Sequence, residues 1–233
     1  MTIRRRELLL SLTSLAGLAG LSLPRRADAR DRVVDRRLEL WRSYAATTQN
    51  LVASLTTIRH SSLLDGDEPL RLRGTLVFVA PDRLLLHDDD AAGSTTLIDG
   101  ERASILANAP DARSAADLQP TPARRWLAAR LLGAFAPPPS DPERPTALEA
   151  DARLSRPRGA GIRLTVLPRR ESIVRATFRS ITISLAPTSG AVDRLEIAES
   201  AGDRLILELA DHQRNLEAPA LAELLRGIDP RHT

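Results

Sequence analysis

Apolar positions along the chain change their period twice. From Arg32 to about Ile58 they recur as Val34, Leu38, Trp41, Ala45, Thr48, Val52 and Leu55, the three-and-four spacing of an amphipathic helix. Arg36, Arg37, Glu39, Arg42, Ser43 and Gln49 fall on the opposite face. The β-branched cluster Thr56-Thr57-Ile58 predicts the end of that helix and the start of a strand. Beyond it the period becomes two. Leu70, Leu72, Leu76 and Phe78 alternate with Arg71, Arg73, Thr75 and Val77. Pro81-Asp82 reads as a turn, and Arg83–His87 as the returning strand. Thr95–Ile98 is a further short strand, Asp99-Gly100 a hairpin signal, and Ala103–Ala107 its return.

Helical spacing returns once. Ala123–Phe135 puts Trp126, Leu127, Arg130, Leu131 and Ala134 near one side, with Pro120 and Pro122 at its start and Pro137-Pro138-Pro139 as its stop. The stretch to Thr146 is a stiff connector. Strand pattern then resumes over Ala152–Ser155, Ile162–Leu167, Ile173–Leu185, Ala191–Glu199 and Arg204–Ala210, divided by Pro- and Gly-bearing turns. A last short helix is predicted over Ala220–Leu225. About ten short strands in one antiparallel sheet curl strongly or split into two layers. Two helices are too few to form a layer of their own. The expected fold is therefore mainly β (α+β). A single curled antiparallel sheet forms an unclosed half-barrel, and the N-terminal and mid-chain helices cover its concave face.

Alternation places Leu72, Leu76, Phe78, Leu164, Val166, Ile183, Leu195 and Leu207 on that concave face, as candidate lining of an apolar cavity. A register error of one residue would invert the assignment. Trp126, Leu127 and Leu131 are the candidate contacts of a mid-chain lid helix. A static plug completing the core is the other reading of the same stripe.

Composition sharpens this picture in two ways. The 233 residues include three Phe, two Trp and one Tyr, so an interior built from 42% apolar residues must be largely aliphatic. There is no Cys, which excludes a disulfide framework, thiolate zinc sites, a Cys nucleophile and an acylated N-terminal Cys.

The N-terminus accounts for the charge. Arg4-Arg5-Arg6 precedes a mostly apolar run from Leu8 to Leu23, followed by Ala27-Asp28-Ala29. Basic segment, short apolar segment and small-x-small site are the order of an export signal, and the run is short and diluted for a membrane span. Residues 1–29 are expected to be removed, leaving 30–233 as the mature domain in the periplasm. Arg5-Arg6-Glu7-Leu8-Leu9 resembles the twin-arginine export motif, with Arg4 where Ser or Thr is usual. The formal charge of +3 resides in this segment, which holds five Arg and two acidic residues. The remainder is neutral and offers no basic field for nucleic acid.

Little in the chain resembles catalytic machinery. His87-Asp88-Asp89-Asp90 reads as a solvated turn rather than a metal cluster, because no second His lies near it. Asp211-His212 could be half of a triad, but no Gly-x-Ser-x-Gly elbow accompanies it. Gly-rich phosphate loops are absent. No catalytic residue, metal or cofactor is expected, and the chain is read as a non-enzyme.

One ordered series of segments carries a resemblance. Arg73-Gly74-Thr75-Leu76-Val77-Phe78-Val79-Ala80-Pro81-Asp82-Arg83-Leu84 resembles the signature strand and turn of the LolA-like family, periplasmic carriers of outer-membrane lipoproteins. Leu97-Ile98-Asp99-Gly100-Glu101 resembles its next hairpin, and Leu164-Thr165-Val166-Leu167-Pro168-Arg169 a later strand end. Pro187 to Leu195 and Glu199 to Asp203 resemble its late hairpins. The series spans most of residues 35–215. It implies an unclosed barrel lidded by helices, binding the acyl chains of a lipoprotein or other amphiphile. It further implies an inner-membrane donor, an outer-membrane acceptor and a monomeric state. The family's lid-latching Arg stands just before the turn proline, where this chain has Ala80; Arg83 is the candidate replacement. A scaffold or protein-binding module with a filled core and no lipid cargo is the competing function.

Overall fold

The computed structural model describes residues 36, 38–62, 68–108, 116–117, 121–136, 148, 152–155 and 162–229. The expected export signal and the Pro-rich connector lie outside them. Among the described residues no helix is long and apolar enough to cross a membrane.

Among the described residues eleven strands form one antiparallel sheet: β1 (Asn50–His60), β2 (Leu70–Val79), β3 (Arg83–Asp88), β4 (Ser94–Asp99), β5 (Arg102–Ala107), β6 (Ala116–Asp117), β7 (Ala152–Ser155), β8 (Ile162–Pro168), β9 (Phe178–Leu185), β10 (Val192–Glu199) and β11 (Arg204–Arg214). Their order is β6-β5-β4-β3-β2-β1-β11-β10-β9-β8-β7. The chain thus starts at the centre of the sheet and meanders to one edge. It then crosses to the opposite edge and meanders back, so that β11 closes on β1. The crossing segment carries α2 (Pro122–Phe135), so this helix connects the two free edges of the unclosed sheet. Thr121 caps its start by accepting from Arg124 N–H, with Pro122 at the first helical position.

Paired residues point to one face, and register therefore assigns the faces. Leu51 lies opposite Phe78 and Ala53 opposite Leu76; Phe78 is opposite Leu84, and Leu84 opposite Ile98. On the other half Leu164 lies opposite Ile183, Ile183 opposite Leu195, and Leu195 opposite Leu207. All these residues belong to one buried cluster with side chains of α1 (residues 38–46) and α2. A single cluster touching strands from β4 to β8 requires that the sheet curl around the helices.

The N-terminal helix is shorter than its apolar spacing predicts. β1 starts at Asn50, not at Thr56, and Val52 and Leu55 are strand residues. Thr47 Oγ1 donates to Ser43 O at 3.0 Å and Thr48 Oγ1 to Tyr44 O at 2.7 Å, so both hydroxyls occupy carbonyls at the helix end. Asn215 then holds the outgoing chain, accepting from Gln49 N–H and donating to Thr47 O. Arg214 stacks over Tyr44, 4.1 Å from the ring centroid. Burial pushes the Tyr44 hydroxyl pKa up, and Arg214 offsets this in part. The turn after β9 reaches α1 through Gly190, at φ +76°, where a Cβ would lie 2.5 Å from the backbone of Leu40 and Trp41.

The expected strand from Ile173 also starts later. Ser172 caps a short 3-10 turn, Ile173–Ala176, and β9 begins at Phe178. Ile173 is 74% exposed there. The C-terminal helix, α3 (Ala218–Ile228), is longer than predicted and lies behind the sheet. Its Leu225, with Leu221, Leu224 and Ile228, packs on Val77, Leu85 and Leu97, which point away from the main core. The curled sheet is thus covered on both sides over β2–β4, rather than on its concave side alone.

Candidate functional site

The concave face brings the expected cavity residues together. Leu76, Phe78, Leu164, Val166, Ile183, Leu195 and Leu207 share one cluster and are at most 2% exposed. Leu72 is buried on the same face, but it pairs with Thr57 at the polar end and is not part of that cluster. Sequence reasoning did not single out the aromatic contacts that join helices to sheet. Phe78 and Phe135 have ring centroids 6.0 Å apart. Trp126 stacks on Phe178 at 6.0 Å and 21°. Trp41 Nε1 donates to Ala134 O at 2.9 Å, tying α1 to α2 inside the core.

The mid-chain helix is seated in two different ways along its length. Arg130, Leu131, Leu132, Gly133, Ala134 and Phe135 are all buried. Toward its start Trp126 and Ala128 are buried, Leu127 is half-buried, and Arg124 and Arg125 are exposed. Of the three expected lid contacts, Trp126 and Leu131 belong to the core cluster, and Leu127 packs against its margin.

One end of the concave face is polar. Asp88 is 4% exposed and accepts from Thr57 Oγ1 at 2.9 Å, Arg59 Nη2 at 3.3 Å and Ser94 N–H at 3.2 Å. Asn108 Nδ2 donates to its carbonyl. A buried carboxylate with this many donors is a structural hub. Its neighbour His87 points to the other face and bonds Thr95 at 2.8 Å. Among the described residues no group of three or more His, Cys, Asp or Glu could hold a metal ion. His212 Nε2 bonds Val192 O, while Asp211 accepts from Ser54, so the two side chains are committed separately.

The candidate latch serves another element. Arg83 pairs with Asp229, which is fully buried at the end of α3, on the face opposite Phe78. Arg83 lies opposite Val79 and Asp99 in register, and this places it behind the sheet.

A pocket of about 660 Å³ opens beside the first half of α2. The helix contributes Trp126, Ala129, Arg125 and Arg130. The β4–β5 turn contributes Gly100 and Glu101, and the segment after β8 contributes Arg169, Glu171, Ser172 and Val174. The pocket therefore sits where the two halves of the sheet approach each other under α2. Trp126 and Val174 line the pocket and also belong to the aliphatic core. Arg130 is 4% exposed, with its guanidinium 5.2 Å from the Trp126 ring centroid. Arg130 stands four residues after Trp126 on the apolar side of the helix, a pattern that could have pointed to this pair but not to the pocket.

No protein-family model and no curated protein matches the chain. Solved structures overlap it partially. A LolA superfamily protein from Nitrosomonas europaea is 9% identical at a TM-score of 0.40, covering 81% of this chain and 96% of that one. A DUF1329 family protein from Desulfovibrio piger is 8% identical at 0.42, covering 82% and 98%. The lipoprotein LppX from Mycobacterium tuberculosis is 10% identical at 0.37, covering 80% and 98%.

Proposed function

We propose that the chain is an exported carrier of acyl chains, acting as a periplasmic monomer between an inner-membrane donor and an outer-membrane acceptor. The reading starts from the ordered LolA-like segments in the sequence. One structural observation carries it further: the 660 Å³ pocket and the aliphatic core share Trp126 and Val174, so the pocket abuts an apolar interior. A volume of this size lies within the range of small-molecule sites, roughly 300–1,000 Å³. In this reading α2 is a lid. Its tightly seated second half acts as the pivot, and its first half lifts to let a chain pass between Trp126 and the concave face. The competing scaffold reading draws on the close packing of that face, where Leu76, Phe78, Val166 and Leu195 have no exposed surface.

Native mass spectrometry of the gently extracted protein separates the two. A carrier retains lipid, and Leu164→Asp abolishes retention while circular dichroism shows the sheet intact. Amide exchange adds a second criterion. Residues 122–129 should exchange much faster than Ile181–Leu185 in the empty protein and gain protection with ligand. Lipid-free protein, with α2 as protected as β9 under all conditions, would establish the scaffold instead.

A further inference from the structure

The segment after β8 carries an exposed apolar residue at the edge of the pocket. Among the described residues Ile173 is the most exposed large apolar side chain, at 74%. A lone exposed apolar residue is ordinary on a protein surface. Three features set this one apart. Its backbone is fixed: Ser172 Oγ accepts from Val174 N–H at 3.3 Å, and Arg175 N–H donates to Ser172 O at 3.1 Å. Ser200, just after β10, donates through its hydroxyl to Arg175 O at 2.7 Å and through its N–H to Thr177 O at 2.9 Å. Val174, the next residue, is buried in the main cluster, so the turn is anchored at its base while Ile173 projects from it. The surrounding charge is basic: the run from Arg169 to Arg175 holds three Arg and one Glu, all exposed. Across the pocket Glu101 and Arg125, both exposed, contribute opposite signs. Finally, Arg169, Glu171, Ser172 and Val174 line the 660 Å³ pocket, so the turn that carries Ile173 is one of its walls.

We propose that this turn docks the protein on a bilayer with anionic headgroups. Ile173 enters the boundary between headgroups and acyl chains, and Arg170 and Arg175 meet lipid phosphates on either side of it. The pocket is thereby held beside the membrane surface, where an acyl chain enters or leaves. One apolar side chain and a small basic excess bind a membrane weakly and reversibly, and a carrier needs a contact that it can leave. The docking turn rests on the carrier reading for its purpose, but membrane binding is measured without cargo.

The test is co-sedimentation of the purified exported protein with vesicles, either phosphatidylglycerol and phosphatidylcholine in equal parts or phosphatidylcholine alone. The wild type should bind the anionic vesicles about tenfold more tightly, a margin that shrinks with added salt. Ile173→Ser changes an exposed side chain and leaves the fold intact, and it should weaken binding to the anionic vesicles about tenfold. Arg170→Gln and Arg175→Gln should each weaken it about fivefold. Arg226→Gln removes an exposed guanidinium from α3, behind the sheet, and should change binding less than about twofold. Absent binding, or equal binding of the wild type to both vesicles, would overturn the docking turn. So would undiminished binding by Ile173→Ser, or equal losses in Arg170→Gln and Arg226→Gln. If the same protein retains lipid in native mass spectrometry, the carrier reading stands without the docking turn. Vesicle binding that depends on Ile173 and Arg170, in a protein that retains no lipid, would uphold the docking turn and overturn the carrier.

Discussion

The two faces of the sheet are covered by helices in contrasting ways. On the concave side strands β1–β4 and β8–β11 feed one continuous, largely aliphatic cluster, which α2 enters through ring contacts and α1 through the Trp41 indole bonded to α2. On the convex side α3 covers a small patch in which Val77, Leu85, Leu97 and Leu225 are the buried members. An ion pair between Arg83 and Asp229 secures that cover. The concave cover borders a pocket lined by charged and apolar side chains together. The convex cover borders no such volume among the described residues, and Arg83 and Asp229 meet within it. Burial alone therefore does not distinguish the two faces; what differs is the open volume beside the first half of α2.

Neighbouring residues on β2 allow a direct comparison, because Leu76 points inward and Val77 outward, at 0% and 1% exposure. Leu76→Ala should cost about 3 kcal/mol, since it leaves a cavity in the main core cluster at a residue with no exposed surface. Val77→Ala should cost about 2 kcal/mol, from the two methyl groups removed. Urea unfolding measures both. The larger difference should be in ligand: Leu76→Ala alters retention and Val77→Ala does not. Equal effects on retention would mean that the two faces are not functionally separate.

Next in size is the ion pair. Asp229→Ala leaves the Arg83 guanidinium, which is about three-quarters buried, without its carboxylate. Removing one partner of a deeply buried pair costs several kcal/mol, and partial exposure of Arg83 reduces this to about 2 kcal/mol. Exchange should accelerate across residues 218–228 and stay unchanged in α2. If α2 loosened as well, the two covers would be coupled through the sheet, and Arg83 would affect the lid after all.

Most strands and both edges of α2 were legible because alternation and turn residues are local signals. The errors arose where two physical descriptions fit the same letters. Val52 and Leu55 satisfy the helical spacing from Leu38, but Leu51, Ala53 and Leu55 also alternate as a strand face, and pairing with β2 and β11 decides in favour of the strand. Ile173 looks like the first residue of a strand until Ser172 caps a turn over it. The amphipathic pattern of α3 shows that it has an apolar side, but not which face of the sheet receives it. The function of Arg83 depends on a partner 146 positions away, and no local pattern encodes that. Leu76, Phe78, Leu164, Val166, Ile183, Leu195 and Leu207 fall in one buried cluster, with Leu72 on the same face outside it, because one register fixes a whole face. The pocket escaped notice because it forms only when α2 meets the β4–β5 turn and the segment after β8.

The smallest effect is expected at the rim of the sheet, outside both covers. Asp203, in the turn between β10 and β11, accepts from Ser62 N–H at 2.6 Å and from Ser62 Oγ at 2.7 Å. The Ser62 backbone N–H and then its hydroxyl hold the Asp203 carboxyl below its ordinary range, with slight desolvation opposing them. A carboxyl with a depressed pKa in the folded state favours folding above its ordinary value, and this contribution disappears as the pH falls through the folded value. Asp203→Asn keeps an acceptor oxygen but cannot ionise. The wild type should therefore have the higher Tm at pH 7, by a small margin because the group is near the surface, and the margin should close once the pH lies below the depressed value of the folded state. A Tm difference that persists unchanged at that pH would show that Asp203 contributes hydrogen-bond geometry rather than charge. Neither result should alter exchange in α2 or α3. A change there would mean that the hairpin ends help set the curl on which both covers depend.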